Sequence, residues 1–341
     1  MAYHFKNLVF EGGGVKGIAY VGALEVLERE GILKDIKRVA GTSAGALVAV
    51  LISLGYTAQE LKDILWKINF QNFLDSSWGL VRNTARFIED YGWYKGEFFR
   101  ELVAGYIKEK TGNSESTFKD LAKSKDFRGL SLIGSDLSTG YSKVFSNEFT
   151  PNVKVADAAR ISMSIPLFFK AVRGVNGDGH IYVDGGLLDN YAIKVFDRVN
   201  YVKNKNNVRY TEYYEKTNKS LKSKNKLTNE YVYNKETLGF RLDAKEQIEM
   251  FLDHSIEPKA KDIDSLFSYT KALVTTLIDF QNNVHLHSDD WQRTVYIDSL
   301  GISSTDFGIS DSKKQKLVDS GILHTQKYLD WYNNDEEKAN K

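Results

Sequence analysis

Three consecutive glycines at residues 12–14 separate a short apolar run from a helical pattern near the start of the chain. The run over residues 7–11 is typical of a buried parallel strand. Residues 15–30 place apolar side chains at helical spacing, and Gly31 ends the pattern. Glycine has no Cβ, so three in a row predict a strand-to-helix turn whose backbone lies close to another group. Such bare backbone suits either a phosphate or an oxyanion.

The next part of the chain repeats this order of elements. Residues 38–41 are expected to form a second strand, and residues 44–54 a strongly apolar helix that Gly55 ends. Strand, helix, strand and helix in close succession predict an α/β fold with a mainly parallel sheet, covered by helices on both faces. Further strands are predicted at residues 130–135, 141–145, 181–184 and 294–298, and further helices at residues 155–164, 262–285 and 311–331.

One stretch differs from its surroundings in composition. Residues 201–226 hold eight Lys and Arg, two Glu and four Tyr, with little aliphatic content. A net charge of +6 and this polar character predict a solvated insertion or mobile loop. We therefore expect one domain over residues 1–341, with a basic insertion that either contacts an anionic membrane surface or stays in solvent.

Composition excludes several classes of function. Lys and Arg number 46 against 45 Asp and Glu among 341 residues, so the chain lacks the concentrated basic footprint of nucleic-acid binding. The lack of cysteine excludes thiol nucleophiles, disulfides and thiolate metal sites. Residues 1–14 have no signal-peptide pattern, and the apolar run at 44–54 is shorter than the ~20 residues that span a bilayer. We expect a soluble protein, in the cytoplasm or peripherally on a membrane.

A G-x-S-x-G motif occupies residues 41–45, between the second strand and the second helix. In this context Ser43 lies on a sharp turn that pushes its hydroxyl out of the sheet, and Gly41 and Gly45 leave room for the turn. The free amides of a helix N-terminus also favour negative charge beside the serine. The motif predicts a nucleophilic serine, and the alternative is an N-cap serine with tight glycine packing.

The triple glycine complements a nucleophilic serine. A serine that attacks an ester produces an oxyanion, which needs backbone amides already aimed at it. The amides of Gly12, Gly13 and Gly14, together with that of Ala44, can supply these hydrogen bonds. This interpretation predicts an oxyanion hole at the first strand-to-helix turn.

The same glycines also fit a nucleotide loop. Gly12, Gly14 and Gly17 match the dinucleotide pattern G-x-G-x-x-G. That pattern needs an acidic residue about twenty residues further on, at the end of the next strand, where this chain has Gly41-Thr42-Ser43. Lys16, inside the motif, either neutralises local charge or lies on a helix surface.

A nucleophilic serine needs a base, which can be a histidine or an acidic residue. None of the six histidines lies in a recognisable triad pattern, and only His180 is near a candidate site. Asp184 ends a short strand and is followed by Gly185 and Gly186, which let an acid approach a neighbouring strand end. The alternative is an aspartate in an ordinary D-G turn.

These three motifs occur in the order found in a known family. The sequences GGGVKG at 12–17, GTSAG at 41–45 and DGG at 184–186 resemble those of the patatin-like phospholipases. The blocks ARISMSIPLFF, NKETLGFRLD and YIDSLGISSTDFGIS are similar as well. The resemblance extends over nearly the whole chain except residues 201–226.

The resemblance implies a three-layer α/β/α fold with a nucleophile elbow and a Ser–Asp dyad. Ser43 would be the nucleophile, Asp184 the base, and residues 12–14 the oxyanion loop. The implied activity is that of a phospholipase A or lysophospholipase, acting on phospholipid or another acyl-ester lipid without cofactor or metal. The alternatives are an acyltransferase on the same dyad and a catalytically silent lipid-binding protein. An aspartate of ordinary pKa, about 4, is a weak base, so we expect geometry to matter more than pKa matching.

Overall fold

The computed structural model describes residues 3–73, 91–175, 177–226, 228–243 and 289–334, with short stretches between residues 262 and 277. The strands of this part are β1 Asn7–Phe10, β2 Arg38–Thr42, β3 Gly92–Tyr94, β4 Gly129–Asp136, β5 Tyr141–Ser146, β6 Leu167–Phe169, β7 Val172–Arg173, β8 Ile181–Asp184, β9 Val208–Arg209, β10 Tyr233–Asn234, β11 Thr237–Asp243 and β12 Thr294–Asp298. The helices are α1 Ala19–Arg29, α2 Ala44–Ser53, α3 Ala58–Lys67, α4 Glu97–Thr111, α5 Phe118–Lys123, α6 Val155–Ser162, α7 Glu212–Ser223 and α8 Asp311–Asn334.

A mainly parallel sheet forms the centre of the molecule. Its strand order is β12-β11-β1-β2-β4-β8-β7, and β5 pairs with β4 as well. The strands from β12 to β4 pair in parallel, whereas β5, β8 and β7 join in antiparallel orientation. Parallel strands need crossover connections, which is why helices separate β1, β2 and β4 in the chain. The expected α/β fold with a mainly parallel central sheet is confirmed.

One face of the sheet carries most of the described helices. Every residue of α2 is buried, and the helix packs against β1, β2 and β4. A helix that is apolar on all sides is stable only when it is surrounded, and α6 packs beside it. The long helix α8 packs against α1 and β12 and closes this layer.

The other face of the sheet is covered by chain that follows β8. Val9 of β1 and Ala40 of β2 pack against Tyr191, Ile193 and Phe196. The last two belong to a short 3-10 helix, Ile193–Phe196. Alternation along each strand produces this division, because neighbouring side chains point to opposite faces of a sheet.

The basic stretch at residues 201–226, expected to be a solvated insertion or mobile loop, has regular secondary structure. It contains α7 and the strand β9, which pairs with β10. The buried Tyr214 of α7 donates a hydrogen bond to Asp197, and the buried Arg293 binds the same carboxylate at 2.6 and 2.7 Å. One anchoring tyrosine therefore orders a segment whose lysines remain exposed, which composition alone did not indicate.

The predicted amphipathic helix at residues 262–285 lies mostly outside the described residues. Of that range, residues 262–265, 268–269, 272–273 and 275–277 are described. Residues 262–265 are not helical, contrary to the prediction, and the other described residues are helical. No helix in the described parts of the chain combines the length and the apolar character needed to cross a membrane.

Candidate functional site

Ser43 lies on a strained turn between β2 and α2. Its backbone angles, φ 52° and ψ −123°, are rare for a residue with a side chain. The flanking glycines make the turn possible, since a Cβ on Gly41 would lie 2.1 Å from the Gly45 carbonyl oxygen. A Cβ on Gly45 would lie 2.4 Å from the Phe10 carbonyl oxygen of β1. The predicted elbow is thus present, with both glycines required by close backbone contacts.

Strands β2 and β8 meet end to end along one edge of β4. Thr42 lies opposite Ile133, and Asp184 lies opposite Gly134, the next residue of β4. β5 pairs with the other edge over the same residues, so β2 and β8 share an edge. Because β2 runs parallel to β4 and β8 runs antiparallel, their carboxyl ends face each other. This register brings Ser43, one residue after Thr42, next to Asp184.

The carboxyl of Asp184 is buried beside the Ser43 hydroxyl. Asp184 is 1% exposed, and its Oδ1 accepts the Gly186 N–H at 2.7 Å. Burial raises the pKa of Asp184 to about 7, against the lowering effects of the Gly186 amide and the Ser43 hydroxyl. Among the described residues, Asp184 Oδ2 has no well-aligned hydrogen-bond partner. The carboxyl is therefore close to Ser43 and has an oxygen able to accept a proton.

Two of the three predicted oxyanion glycines have available amides. Within the described part of the chain, no hydrogen-bond acceptor is found for the amides of Gly13, Gly14 or Ala44. Gly12 requires a correction, because its N–H donates to the Asn190 carbonyl oxygen at 3.1 Å. Gly12 instead permits a close approach, since a Cβ there would lie 3.0 Å from Ser43 Cβ.

The remaining motif residues hold the site together. Gly17 packs against Ala44, where a Cβ would lie 3.1 Å from the alanine Cβ. Gly185 packs against Ile133, where a Cβ would lie 2.4 Å from the carbonyl oxygen. Lys16 is partly buried, and its Nζ donates to the Leu242 carbonyl oxygen at 3.2 Å, which ties the first loop to β11.

A buried carboxyl that the sequence analysis did not single out precedes the glycines. Glu11 is 1% exposed, and its Oε2 accepts the Leu242 N–H at 2.7 Å. Its pKa is raised to about 7 by burial, although the positive charges of Arg241 and Lys16 oppose the rise. Its position in the sequence could have identified it, because Glu11 is a charged residue that follows an apolar strand and directly precedes the three glycines.

An apolar pocket opens beside Ser43. Its walls come from the first loop, α2, α3 and the segments around β6 and residue 307. Apart from glycines and serines, the lining is hydrophobic: Val15, Ile18, Ala44, Leu47, Val48, Leu65, Phe70, Phe73, Met163, Ile165, Phe169 and Phe307. The lining suits a hydrocarbon chain, because hydrophobic side chains line sites that bind apolar groups.

The described histidines take no part in the pairing at Ser43. The candidate His180 lies at the opposite end of β8 from Asp184, and its Nδ1 is 2.8 Å from Asp136 Oδ2. Among the described residues, no group of three or more His, Asp and Glu side chains is arranged to hold a metal ion.

A serine on a strand-to-helix turn, a buried acid and an apolar pocket therefore lie together in this α/β fold. A family model described as patatin-like phospholipase matches residues 8–197, more than half of the chain. The chain belongs to the patatin-like phospholipase family. This membership, together with a relative named as a lipid hydrolase, supports a lipid hydrolase activity.

Other proteins are similar to this chain in sequence or in fold. The protein YqhO of Bacillus subtilis (strain 168) is 30% identical over 94% of this chain and 97% of its own length. A probable lipid hydrolase, 463L of Invertebrate iridescent virus 6, is 26% identical over 59% of this chain and 67% of its own. The crystal structure of VipD from Legionella pneumophila shares the fold, with a TM-score of 0.58 and 16% identity over 96% of this chain and 67% of VipD.

Proposed function

We propose that the protein hydrolyses fatty-acyl esters of phospholipids or lysophospholipids, with Ser43 as nucleophile and Asp184 as general base. One observation carries the proposal. The carboxyl of Asp184 lies next to the hydroxyl of a strained serine, and burial brings the pKa of this carboxyl to about 7. A base whose pKa lies near the operating pH is best suited to take a proton from a nucleophile.

In the first half of the reaction, Ser43 Oγ attacks the ester carbonyl carbon while Asp184 accepts the hydroxyl proton. The amides of Gly13, Gly14 and Ala44 donate to the oxyanion, and Asp184 returns the proton to the leaving alcohol. In the second half, Asp184 deprotonates a water molecule that attacks the acyl-enzyme, and it then returns this proton to Ser43 Oγ as the fatty acid leaves. The raised pKa modifies the expectation from sequence, because pKa matching then contributes along with geometry.

The pocket indicates which part of the substrate enters the protein. Its lining is almost entirely hydrophobic and reaches from Ser43 to Phe73 and Phe307. A fatty-acyl chain placed there loses its contact with water, which stabilises the complex by about 0.8 kcal/mol per buried CH₂. With the acyl chain in the pocket, the ester carbonyl carbon lies over Ser43. The headgroup then stays outside the pocket.

The experiment combines covalent labelling with product analysis. The wild-type protein should react with a fluorophosphonate probe and release free fatty acid from phospholipid vesicles. Ser43→Ala should lose both properties, and Asp184→Asn should lose at least a thousandfold in rate, since the base is gone. Near-wild-type turnover by either variant, or an unlabelled wild-type protein, would refute the proposal.

Matched controls are available in the same elements. Ser53→Ala removes a buried serine from α2, whose Oγ binds the Arg128 carbonyl oxygen at 2.7 Å. Asp136→Asn removes a buried strand-end carboxylate that pairs with His180. Both should keep activity. Adding glycerol or lysolipid as acceptor tests the acyltransferase alternative, and fatty acid should remain the main product.

A further inference from the structure

Asn190 lies between the two loops that form the site. It is 4% exposed and follows the Asp184-Gly185-Gly186 motif by four residues. Its backbone carbonyl oxygen accepts the Gly12 N–H at 3.1 Å. Its side-chain Nδ2 donates to the Gly12 carbonyl oxygen at 3.2 Å. One asparagine therefore holds both the N–H and the C=O of Gly12.

Holding the Gly12 carbonyl also orients the next amide. The Gly12 C=O and the Gly13 N–H belong to one planar trans peptide unit, so they point in opposite directions. Nδ2 of Asn190 fixes the direction of the carbonyl, and hence the direction of the Gly13 N–H. That amide has no acceptor within the part of the chain that is described, and it is one of the proposed oxyanion donors.

The side chain of Asn190 also touches the loop that carries the acid. A Cβ added to Gly12 would lie 2.3 Å from Asn190 Oδ1, and one added to Gly186 would lie 2.8 Å from the same atom. The amide of Gly186 is the donor that holds Asp184. Glycine at both positions leaves space for Asn190, which thereby sets the separation of the two loops.

Chemistry determines which way the amide group of Asn190 faces. Nδ2 points to the Gly12 carbonyl oxygen and lies 3.5 Å from Glu11 Oε1, and both of these atoms are acceptors. The reversed amide would place oxygen against oxygen. Glu11 is in turn held by the Leu242 N–H, so the orientation of Asn190 is supported from β11.

We propose that Asn190 is a positioning residue that aims the Gly13 N–H at the oxyanion and keeps the glycine loop in register with Asp184. The inference rests on the proposed hydrolase function. In this role Asn190 stabilises the transition state. An asparagine that only joined two loops would stabilise the folded protein without changing kcat.

Asn190→Ala and Asn190→Asp test this role. Both remove the Nδ2 donor, and the second preserves the size of the side chain. We expect kcat to fall by about a hundredfold or more, the usual effect of losing an oxyanion donor, with KM changed less than threefold. The rate of fluorophosphonate labelling should fall by a similar factor, because the phosphonyl oxygen uses the same donors. All rates are referred to the concentration of labelled active sites.

Asn234→Ala is the matched control. Asn234 is fully buried and uses both ends of its amide, with Nδ2 on the Phe196 carbonyl oxygen at 2.8 Å and Oδ1 on the Glu236 N–H at 2.9 Å. It should lose stability while keeping kcat per active site.

If the Asn190 variants behave like this control, the positioning role is refuted, although labelling of the wild type would still support the hydrolase. If Asn190→Ala does not fold, kcat per labelled active site of Asn190→Asp is compared with that of the control in the same way. If the wild type itself is unlabelled, the proposed function fails and the positioning role fails with it.

Discussion

The Ser43 N–H donates a hydrogen bond of 3.0 Å to Ser162 Oγ, and that hydroxyl donates in turn to the Ile133 carbonyl oxygen at 2.5 Å. Ser162 is fully buried at the end of α6. Its hydroxyl is thus both acceptor and donor between the elbow and β4. The contact satisfies the amide of a residue whose positive φ costs roughly 1–3 kcal/mol, so it helps to keep the elbow in this conformation.

Removing this hydroxyl should affect both stability and rate. Ser162→Ala leaves the Ser43 N–H buried without a partner, which costs about 1–3 kcal/mol of unfolding free energy. We also expect kcat to fall by about tenfold, because the peptide that carries Ser43 loses a fixed orientation. Urea unfolding and turnover per labelled site measure the two effects. Ser53→Ala, which also loses a serine-to-carbonyl bond, should lower only stability; equal turnover in both variants would contradict the prediction.

The rate should depend on pH with a midpoint near 7. Asp184 must be deprotonated to accept the Ser43 proton, and its pKa is raised to about 7 by burial. The value of kcat/KM should therefore fall about tenfold per pH unit below that value and level off above it. Glu11 titrates near the same pH, so the profile is repeated with Glu11→Gln. A midpoint that persists in Glu11→Gln assigns the titration to Asp184, whereas its disappearance would assign it to Glu11.

Neutralising Asp184 should stabilise the protein at alkaline pH. The folded-state pKa of about 7 exceeds the ordinary value of 3.8, so ionising this buried carboxyl opposes folding. The contribution favours the folded state fully below the ordinary pKa and is lost as the pH rises through about 7. Asp184→Asn removes the penalty, with a gain of up to about 4 kcal/mol above pH 8. Urea unfolding at pH 5.5 and 8.5 should show the larger gain at the higher pH.

Asp136→Asn should change the unfolding free energy in the opposite direction to Asp184→Asn. Burial tends to raise the pKa of Asp136, but hydrogen bonds from His180, Thr139 and Ser138 outweigh it and leave this pKa below the ordinary value. Its ionised form is therefore stabilised in the folded protein. The asparagine variant should lose stability at both pH values, and a gain like that of Asp184→Asn would show that the effect is not specific to the site.

A membrane contact of the basic segment, one of the two alternatives from its composition, can be tested without disturbing the fold. Tyr214 anchors α7, so deleting residues 201–226 would also disrupt the buried Asp197–Arg293 pair. Replacing the exposed Lys219, Lys222 and Lys224 by Gln avoids this problem. Each lysine contributes up to about 1 kcal/mol near an anionic surface, so binding to phosphatidylserine-containing vesicles should weaken up to about 100-fold.

The control places the same change on another surface. Lys108, Lys119 and Lys125 are exposed on α4, on α5 and just after α5. Replacing these three by Gln should leave vesicle binding unchanged. Equal binding by both triple variants in a co-sedimentation assay would show that α7 makes no specific contact, and binding to neutral vesicles should be weak for all three proteins.

Local patterns predicted the first elements well. The strand at β1, the helices α1 and α2 and the sharp turn at Ser43 all follow from apolar spacing and glycine position within a few residues. The helices α3, α4, α5 and α7 were not predicted, and α7 lies in the stretch that was expected to be a solvated insertion or mobile loop. In α7 nearly all residues are polar, and Tyr214 is the one side chain of this helix that is buried.

The sequence by itself determined which residues could perform chemistry, because glycines around a serine and after an acid are local requirements of tight turns. The tertiary structure decided how those residues meet. Only the shared edge of β4 brings the ends of β2 and β8 together, and only burial gives Asp184 its raised pKa. Pairing between distant strands and the exclusion of water depend on contacts far apart in the chain. For the same reason Ser162 and Asn190 became visible as parts of the site in three dimensions alone.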